Sequence, residues 1–499
     1  MRSFWLLKLI PLTAILWGQS SEVTYDQAFR PQFHFSPREY WTNDPNGLVF
    51  FEGEYHLFFQ YNPYGDVWGH MSWGHAVSPD LIHWKQLHVA LAEEKGVMIF
   101  TGSVVVDKAN SSGFCLGGKP CLVAVWTGHT METKTKPSLQ TQNLAYSNDR
   151  GRTWTKYSGN PVLDLHMTDF RDPKVFWSDQ GNQWVMAVSL PNDHKILIYG
   201  SPNLKDWKRL SEFGPAGATA GQWECPELFQ VPVAGKAESR WVLKVGINPG
   251  APAGGSGEQY FVGRFDGEKF QDDNPASTTL WTDYGKDCYC ALTFNNLPKT
   301  AAPIMLGWMS NWQYARETPT SPPFRGQMTL PRVLQLRNTP DGLRLFQQPA
   351  AITELREAPL EMKAELSGTG HQFEFTSVVS LGSAQEVGWK LLAGSGVYTT
   401  IGYDRGKQML FVDRTKSGNV GFHKDFPART EAPLKLASDK LELHVIVDRD
   451  SVEVFAEDGR VAITNLVFAP PDANDLQFYA SGGKAKIISG KLWKLKSGW

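Results

Sequence analysis

The sequence predicts an all-β protein, a β-propeller followed by a β-sandwich, and three observations carry that prediction. Helical periodicity is scarce, whereas short apolar runs alternate with turns holding Gly, Asp or Asn, as in GLVFFEGEYHLFFQY and PKVFWSDQGNQWVMAVSL. A second pattern lies over the first. SPDLIHW (78–84), SNDRGRTW (147–154) and SPNLKDW (201–207) each set a Ser two residues before an Asp or Asn, with a Trp beyond. A turn closed by its own Ser and Asx side chains and covered by a Trp suits the outer corner of a repeated hairpin unit. The third observation is composition: 19 Trp, 28 Phe and 15 Tyr with 46 Gly and 31 Pro suit short strands joined by tight turns.

Taken in order, the chain begins with MRSFWLLKLIPLTAILWGQSS, an early Arg, an apolar stretch and a small polar finish. Residues 1–21 therefore read as a secretory signal peptide. No other stretch reaches the ~18–20 apolar residues of a membrane span. The expectation is a secreted or periplasmic protein with no membrane association after signal removal. Residues 28–336 carry the repeated units, and GRFDGEKF (263–270) reads as a degenerate fourth copy. The repeats fade after LPRVLQL, and 337–360 reads as a strand and connector, a linker between domains. From 361 to 499, stretches such as HQFEFTSVVSL and LELHVIVDRDSVEVFAEDGR alternate as in a β-sandwich. A length of 499 residues accommodates this division. The net charge of −2 gives no basic surface for a polyanion, so nucleic acid is not an expected partner.

Of five cysteines, Cys115 and Cys121 bracket a Gly-rich loop that a disulfide can close in an oxidising compartment. Cys288 and Cys290, two apart, are expected on one face of a strand, and Cys225 stands alone beside Glu224. None of these spacings is that of a zinc site, and neither metal nor cofactor is expected.

The chemistry is carried by three acids in parallel settings: Asp44 in NDPNGLVFF, Asp172 in RDPKVFW and Glu224 in ECPELFQV. Each precedes a proline by one or two residues and then an apolar strand. The residue before proline is pushed to extended geometry, and proline is tolerated where a strand begins. Each acid is therefore expected at the start of an innermost strand, where strands from different blades converge on one channel mouth. Converging carboxylates separate in pKa, which suits glycosidic cleavage: one stays ionised, another holds a proton for the leaving oxygen. Amide donors around Asp44 are expected to favour its anion. Trp223, Cys225 and Pro226 give Glu224 an apolar setting expected to raise its pKa.

WTNDPNGLVFFEGEYHLFFQYNP, WGHMSWGHAVSPDLIHW, FRDPKV, QWECPELF, DYGKDCYCA and GWMSNWQYARETPTSP together resemble glycoside hydrolase family 32, the invertase, inulinase and levanase group. The resemblance runs from about residue 30 to 335 and more weakly beyond. It implies a five-bladed propeller with a sandwich behind it, and a retaining mechanism on terminal β-D-fructofuranosyl units. By the same resemblance Asp44 matches the nucleophile, Glu224 the general acid/base and Asp172 the transition-state stabiliser. Asn43, Gln60, Trp68, Phe100, Thr101, Arg171 and Trp312 fall in motifs that line the fructose pocket. Thr101 stands where the family often has serine, and Cys288 and Cys290 stand where other apolar residues are usual.

The resemblance implies exo-hydrolysis of inulin or levan, with sucrose also accepted, by a monomer or homodimer. A sucrose-preferring invertase, a fructosyltransferase and an endo-acting fructanase stay open as alternatives. SNDRGRTW also fits the Asp-box of sialidases, but a sialidase needs an arginine cluster, and Arg171 is the only arginine in the three acid motifs. A non-catalytic sugar-binding propeller would have lost one of the three acids.

Overall fold

A computed structural model describes residues 24–320 and 323–499; the segment read as a signal peptide lies outside the described residues. Five antiparallel sheets form five blades, and two six-stranded sheets follow them. The innermost strands of blades 1 to 5 are Tyr40–Phe51, Val97–Asp107, Arg171–Ser178, Gln222–Pro232 and Tyr289–Thr293. From each, the chain steps outward by hairpins. Blade 3, for example, continues through Gln183–Leu190, Lys195–Ser201 and Lys208–Phe213.

Side chains on a strand alternate between faces, and here both faces of a blade are covered by neighbours. On Gln183–Leu190, Trp184, Met186 and Val188 pack toward blade 2, while Val185 and Ala187 pack toward blade 4. This two-sided burial is why the strands read as continuous apolar runs. Five apolar clusters fill the five blade-to-blade gaps. The last closes the ring, with Trp41, Leu57 and Phe59 of blade 1 against Leu292, Leu306 and Trp308 of blade 5. The short strand Phe324–Arg325 adds a parallel pairing to Tyr40 and Trp41.

The repeated Ser/Asx motifs are the corners between the third and fourth strands of blades 1, 2 and 3. In blade 1 the Ser78 hydroxyl accepts from Leu81 N at 2.9 Å, Asp80 accepts from His83 N at 2.9 Å, and Trp84 Nε1 donates to Leu81 O at 2.9 Å. Trp154 and Trp207 donate in the same way to Gly151 O and Leu204 O. In blade 4 Asp266 alone keeps the turn, accepting from Glu268 and Lys269 N, and no Trp covers it.

The fifth blade reaches further than the repeats suggested. Its outer strands are Arg332–Thr339 and Gly342–Pro349, paired from Arg332↔Pro349 to Thr339↔Gly342. The stretch assigned to a linker thus begins inside a blade, because Pro340-Asp341-Gly342 closes a hairpin rather than opening a connector.

The sandwich stacks a sheet containing Phe373–Ser380 and Lys440–Asp448 on one containing Glu386–Gly394 and Val397–Asp404, around Trp389, Phe375, Ile401 and Val445. It docks on the propeller through Phe33, Leu330 and Ile352 against Ile446, Phe455 and Leu495. A buried polar chain crosses the same junction. His34 bridges Asp448 and Glu453 at 2.8 Å each, and Arg332 joins Asp283 at 2.9 Å to Glu453 at 2.6 Å.

Candidate active site

All five innermost strands break register at the same level, and the breaks build the site. Opposite one residue of the neighbouring strand, each presents two: Asn43-Asp44, Phe100-Thr101, Asp172-Pro173, Cys225-Pro226 and Cys290-Ala291. These are β-bulges, which re-aim side chains and recur beside active sites. Pro173 and Pro226 sit inside them, where the ladder asks for no N–H. Asp172 and Glu224 stand second and third in their strands, as expected, whereas Asp44 is the fifth residue of its strand and Pro45 resumes pairing just after the bulge. Asp172, Cys225 and Cys290 hold φ values of 67°, 48° and 44°. Such left-handed backbone at a non-glycine residue costs of order 1 kcal/mol and collects at functional sites.

Five of the ten residues singled out from sequence stand in the bulges, and the other five gather around them. Asn43, Asp44, Gln60, Trp68, Phe100, Thr101, Arg171, Asp172, Glu224 and Trp312 line one pocket of about 330 Å³. His129, Gln140, Asp169, Asn248 and Arg316 complete the lining. Sequence reasoning missed these five because none shares the acid-proline pattern. His129, Gln140 and Asn248 lie on second or third strands, so the pairing of strands alone carries them to the mouth. Trp68, Phe100 and Trp312 supply the flat apolar wall. Phe100 stacks on His129 at 4.4 Å between centroids, and Trp312 packs on Trp308 at 4.9 Å.

The three acids have different surroundings. Thr101 Oγ1 donates to Asp44 Oδ2 at 2.8 Å, while Asp44 Oδ1 is withdrawn from water without a partner. Burial lifts the Asp44 pKa to about 6; the Asn43 and Thr101 donors oppose that lift, and the neighbouring charge of Glu224 adds to it. The expected stabilisation of the anion by its turn is thus outweighed by desolvation. Asp172 is also raised by burial, with Arg171 opposing, and its Oδ2 accepts from Cys225 N at 2.9 Å.

Glu224 does not have the apolar setting read from its neighbours. Trp223 and Cys225 point away into blade interfaces, and the carboxylate faces polar partners. Arg171 donates to Glu224 Oε1 from Nε at 3.1 Å and from Nη2 at 3.0 Å, and the Tyr289 hydroxyl donates to Oε2. Arg171 is itself anchored by Asp169 at 2.7 Å and Gln222 at 3.0 Å. Tyr289 was not legible as a site residue; it comes from blade 5, within DYGKDCYCA. Burial and the charge of Glu224 push its hydroxyl pKa well up, which keeps it a donor.

The cysteines also differ from their sequence reading. Cys115 and Cys121 are bonded, as their loop suggested, but Cys225 is bonded to Cys290 and only Cys288 is free. The bulge at Cys290 turns Cys288 and Cys290 to opposite faces. Cys288 packs between blades 4 and 5, and Cys290 between blades 5 and 1. The disulfide lies under the pocket floor, with Cys225 Sγ 3.8 Å from Asp44 Oδ2.

A five-bladed propeller with an acid-lined pocket at its mouth and a sandwich packed behind is the architecture of a glycoside hydrolase. The chain belongs to glycoside hydrolase family 32: the family's N-terminal domain matches residues 34–349 and its C-terminal domain residues 341–494. It is similar to the levanase of Bacillus subtilis, 45% identical over 493 residues that span 95% of this chain and 72% of that one. It is 41% identical to the extracellular exo-inulinase of Aspergillus niger over 536 residues, 99% of each chain. The crystal structure of exo-inulinase from Aspergillus awamori superposes with a TM-score of 0.90 at 39% identity, covering 95% of this chain and 100% of that one. A β-fructofuranosidase from Schwanniomyces occidentalis, complexed with fructosyl-erythritol, superposes with a TM-score of 0.86 at 34% identity, covering 95% and 99%.

Proposed function

We propose that this enzyme is a retaining, exo-acting β-fructofuranosidase that removes terminal fructose from inulin- or levan-type fructans and also cleaves sucrose. The observation that carries this reading is the convergence of Asp44, Asp172 and Glu224, from three different blades, on one pocket with Arg171 among them. A pocket of about 330 Å³ is near the lower end of ligand-site volumes, ~300–1,000 Å³, which suits a chain end rather than a long polymer segment. The levanase and exo-inulinases among the relatives favour fructans over sucrose alone.

In this mechanism Asp44, as the anion, attacks the anomeric carbon of the terminal fructosyl unit and forms a covalent ester. Glu224 gives its proton to the departing oxygen, then takes one from the water that hydrolyses the ester. Arg171 and Tyr289 hold the Glu224 carboxyl in line for both steps. Asp172, fixed by the Cys225 amide, accepts from substrate hydroxyls and offsets the positive charge that develops on the sugar. Trp68, Phe100 and Trp312 form the apolar surface on which the ring rests.

The signal-peptide-like N-terminal sequence and the extracellular exo-inulinase relatives support an extracellular setting; no helix among the described residues is long and apolar enough to cross a membrane. Chromatography of products from inulin, levan and sucrose tests the reading. Fructose as the first and only small product from both polymers is the expected result, and oligosaccharides released early would overturn exo action.

A further inference from the structure

We propose that the Cys225–Cys290 disulfide is a positioning device for the catalytic acids: it clamps the acid/base strand to blade 5 and withholds a thiol donor from Asp44. This rests on the roles proposed above. Cys225 adjoins all three acids. It follows Glu224 in sequence, its amide donates to Asp172 Oδ2 at 2.9 Å, and its sulfur lies 3.8 Å from Asp44 Oδ2. Its partner Cys290 follows Tyr289, whose hydroxyl donates to the same Glu224. The bond therefore joins two equivalent bulges, both in left-handed backbone, and each end sits one residue from a group that holds or is the acid/base.

The bond also settles what Asp44 faces. A disulfide sulfur has no proton to give, so the side-chain donors that support the Asp44 anion are Asn43 and Thr101, with Thr101 Oγ1 2.8 Å from Oδ2. Were Cys290 absent, Cys225 would carry an S–H beside that oxygen, and a donor to the anion favours ionisation. The charged and titratable groups facing Asp44 are otherwise fixed. They are Glu224 and the Lys244-paired Glu258 from blade 4, Asp172 with Arg171 from blade 3, and Tyr289 from blade 5. Replacing Cys290 removes none of these groups.

The test compares Cys290→Ala, which frees the Cys225 thiol, with the double variant Cys225→Ala/Cys290→Ala, which removes both bond and donor. Cys115→Ala/Cys121→Ala, opening the disulfide in blade 2, controls for loss of a crosslink in general. With sucrose as substrate, both site variants are expected to lose kcat by about 3- to 10-fold, as a slightly misplaced catalytic group does. In Cys290→Ala alone, the acidic limb of kcat/KM is expected to move down by about half a pH unit to one unit, the effect of one weak donor to a charged acceptor. The blade 2 control should keep both kcat and limb. An unmoved limb in Cys290→Ala, or equal movement in both site variants, overturns the proposal, and so does kcat lost equally in the control. Should the double variant not fold, Cys290→Ser provides the comparison, since it frees the same Cys225 thiol and must reproduce the limb of Cys290→Ala. Wild-type enzyme that releases no fructose from sucrose would instead sink the functional reading, before any variant is made.

Discussion

At the scale of single residues, Asp44 shows how the pocket sets a working pH. Its pKa of about 6 lies above the ordinary 3.8 because burial penalises the anion more than Thr101 and Asn43 support it. The attack proposed for Asp44 requires the anion, so kcat/KM is expected to fall about tenfold per unit as pH drops below about 6, read from a pH–rate profile of the free enzyme. Asp44→Asn is expected to lose about 10³- to 10⁵-fold in kcat. The same raised pKa has a folding consequence with a defined sign. A carboxyl that binds its proton more tightly when folded loses stability as pH rises from 3.8 through about 6. At neutral pH the Asn variant is therefore expected to melt higher than wild type. The three acids were legible because proline follows each so closely. Tyr289 was not, nor that the carboxylate held by Arg171 is Glu224, since Glu224's sequence neighbours Trp223 and Cys225 suggested an apolar surrounding and the fold turns both away from its carboxylate.

At the scale of elements, the site is a ring of five bulges. The strands and their outer Ser/Asx corners could be read from period-two apolar runs and local turn chemistry, because both are properties of one stretch of chain. A bulge is a property of two strands in register, so the sequence of either strand alone does not announce it. For the same reason the Cys225–Cys290 bond was missed: the two residues are 65 apart and meet only because blades 4 and 5 bulge at one level. Gly102 gives this scale its test. It resumes pairing after the blade 2 bulge, and a Cβ there would lie 2.1 Å from Val125 O and 2.8 Å from Trp126 Cα, both backbone atoms. Gly102→Ala is expected to push the strand off its neighbour and carry Thr101 from Asp44. It should reduce kcat by about 10-fold or more and lower stability by about 1–3 kcal/mol, measured by steady-state kinetics and thermal melting.

At the scale of the whole molecule, a closed ring of blades is locked to the sandwich by apolar packing and a buried ionic chain. Sequence placed the two domains in order, but not this junction, whose partners His34, Asp283, Arg332 and Glu453 are scattered along the chain. Burial alone would lower the His34 pKa, yet Asp448 and Glu453 overcome it and lift it to about 9. That contribution is fully present below the unfolded value of 6.5 and is lost as pH rises through about 9. Glu453 is the opposite case. Arg332 and His34 overcome its burial and hold it at about 2, so its contribution is present above 4.5 and lost as pH falls toward 2. The junction is therefore expected to be firmest between about pH 4.5 and 6.5. His34→Ala takes the shared cation from two buried carboxylates, leaving Glu453 to Arg332 and Asp448 to backbone amides, and is expected to cost about 3–5 kcal/mol near pH 6, with a flatter alkaline decline in Tm than wild type.

The central claim is that Asp44 forms a covalent fructosyl ester in a retaining reaction. The most direct measurement is the anomeric configuration of the methyl fructofuranoside formed when the enzyme cleaves sucrose in aqueous methanol, read by NMR. Methyl β-D-fructofuranoside is expected, with its formation lost in Asp44→Asn. The α-anomer, or undiminished product from the Asp44→Asn variant, would contradict it.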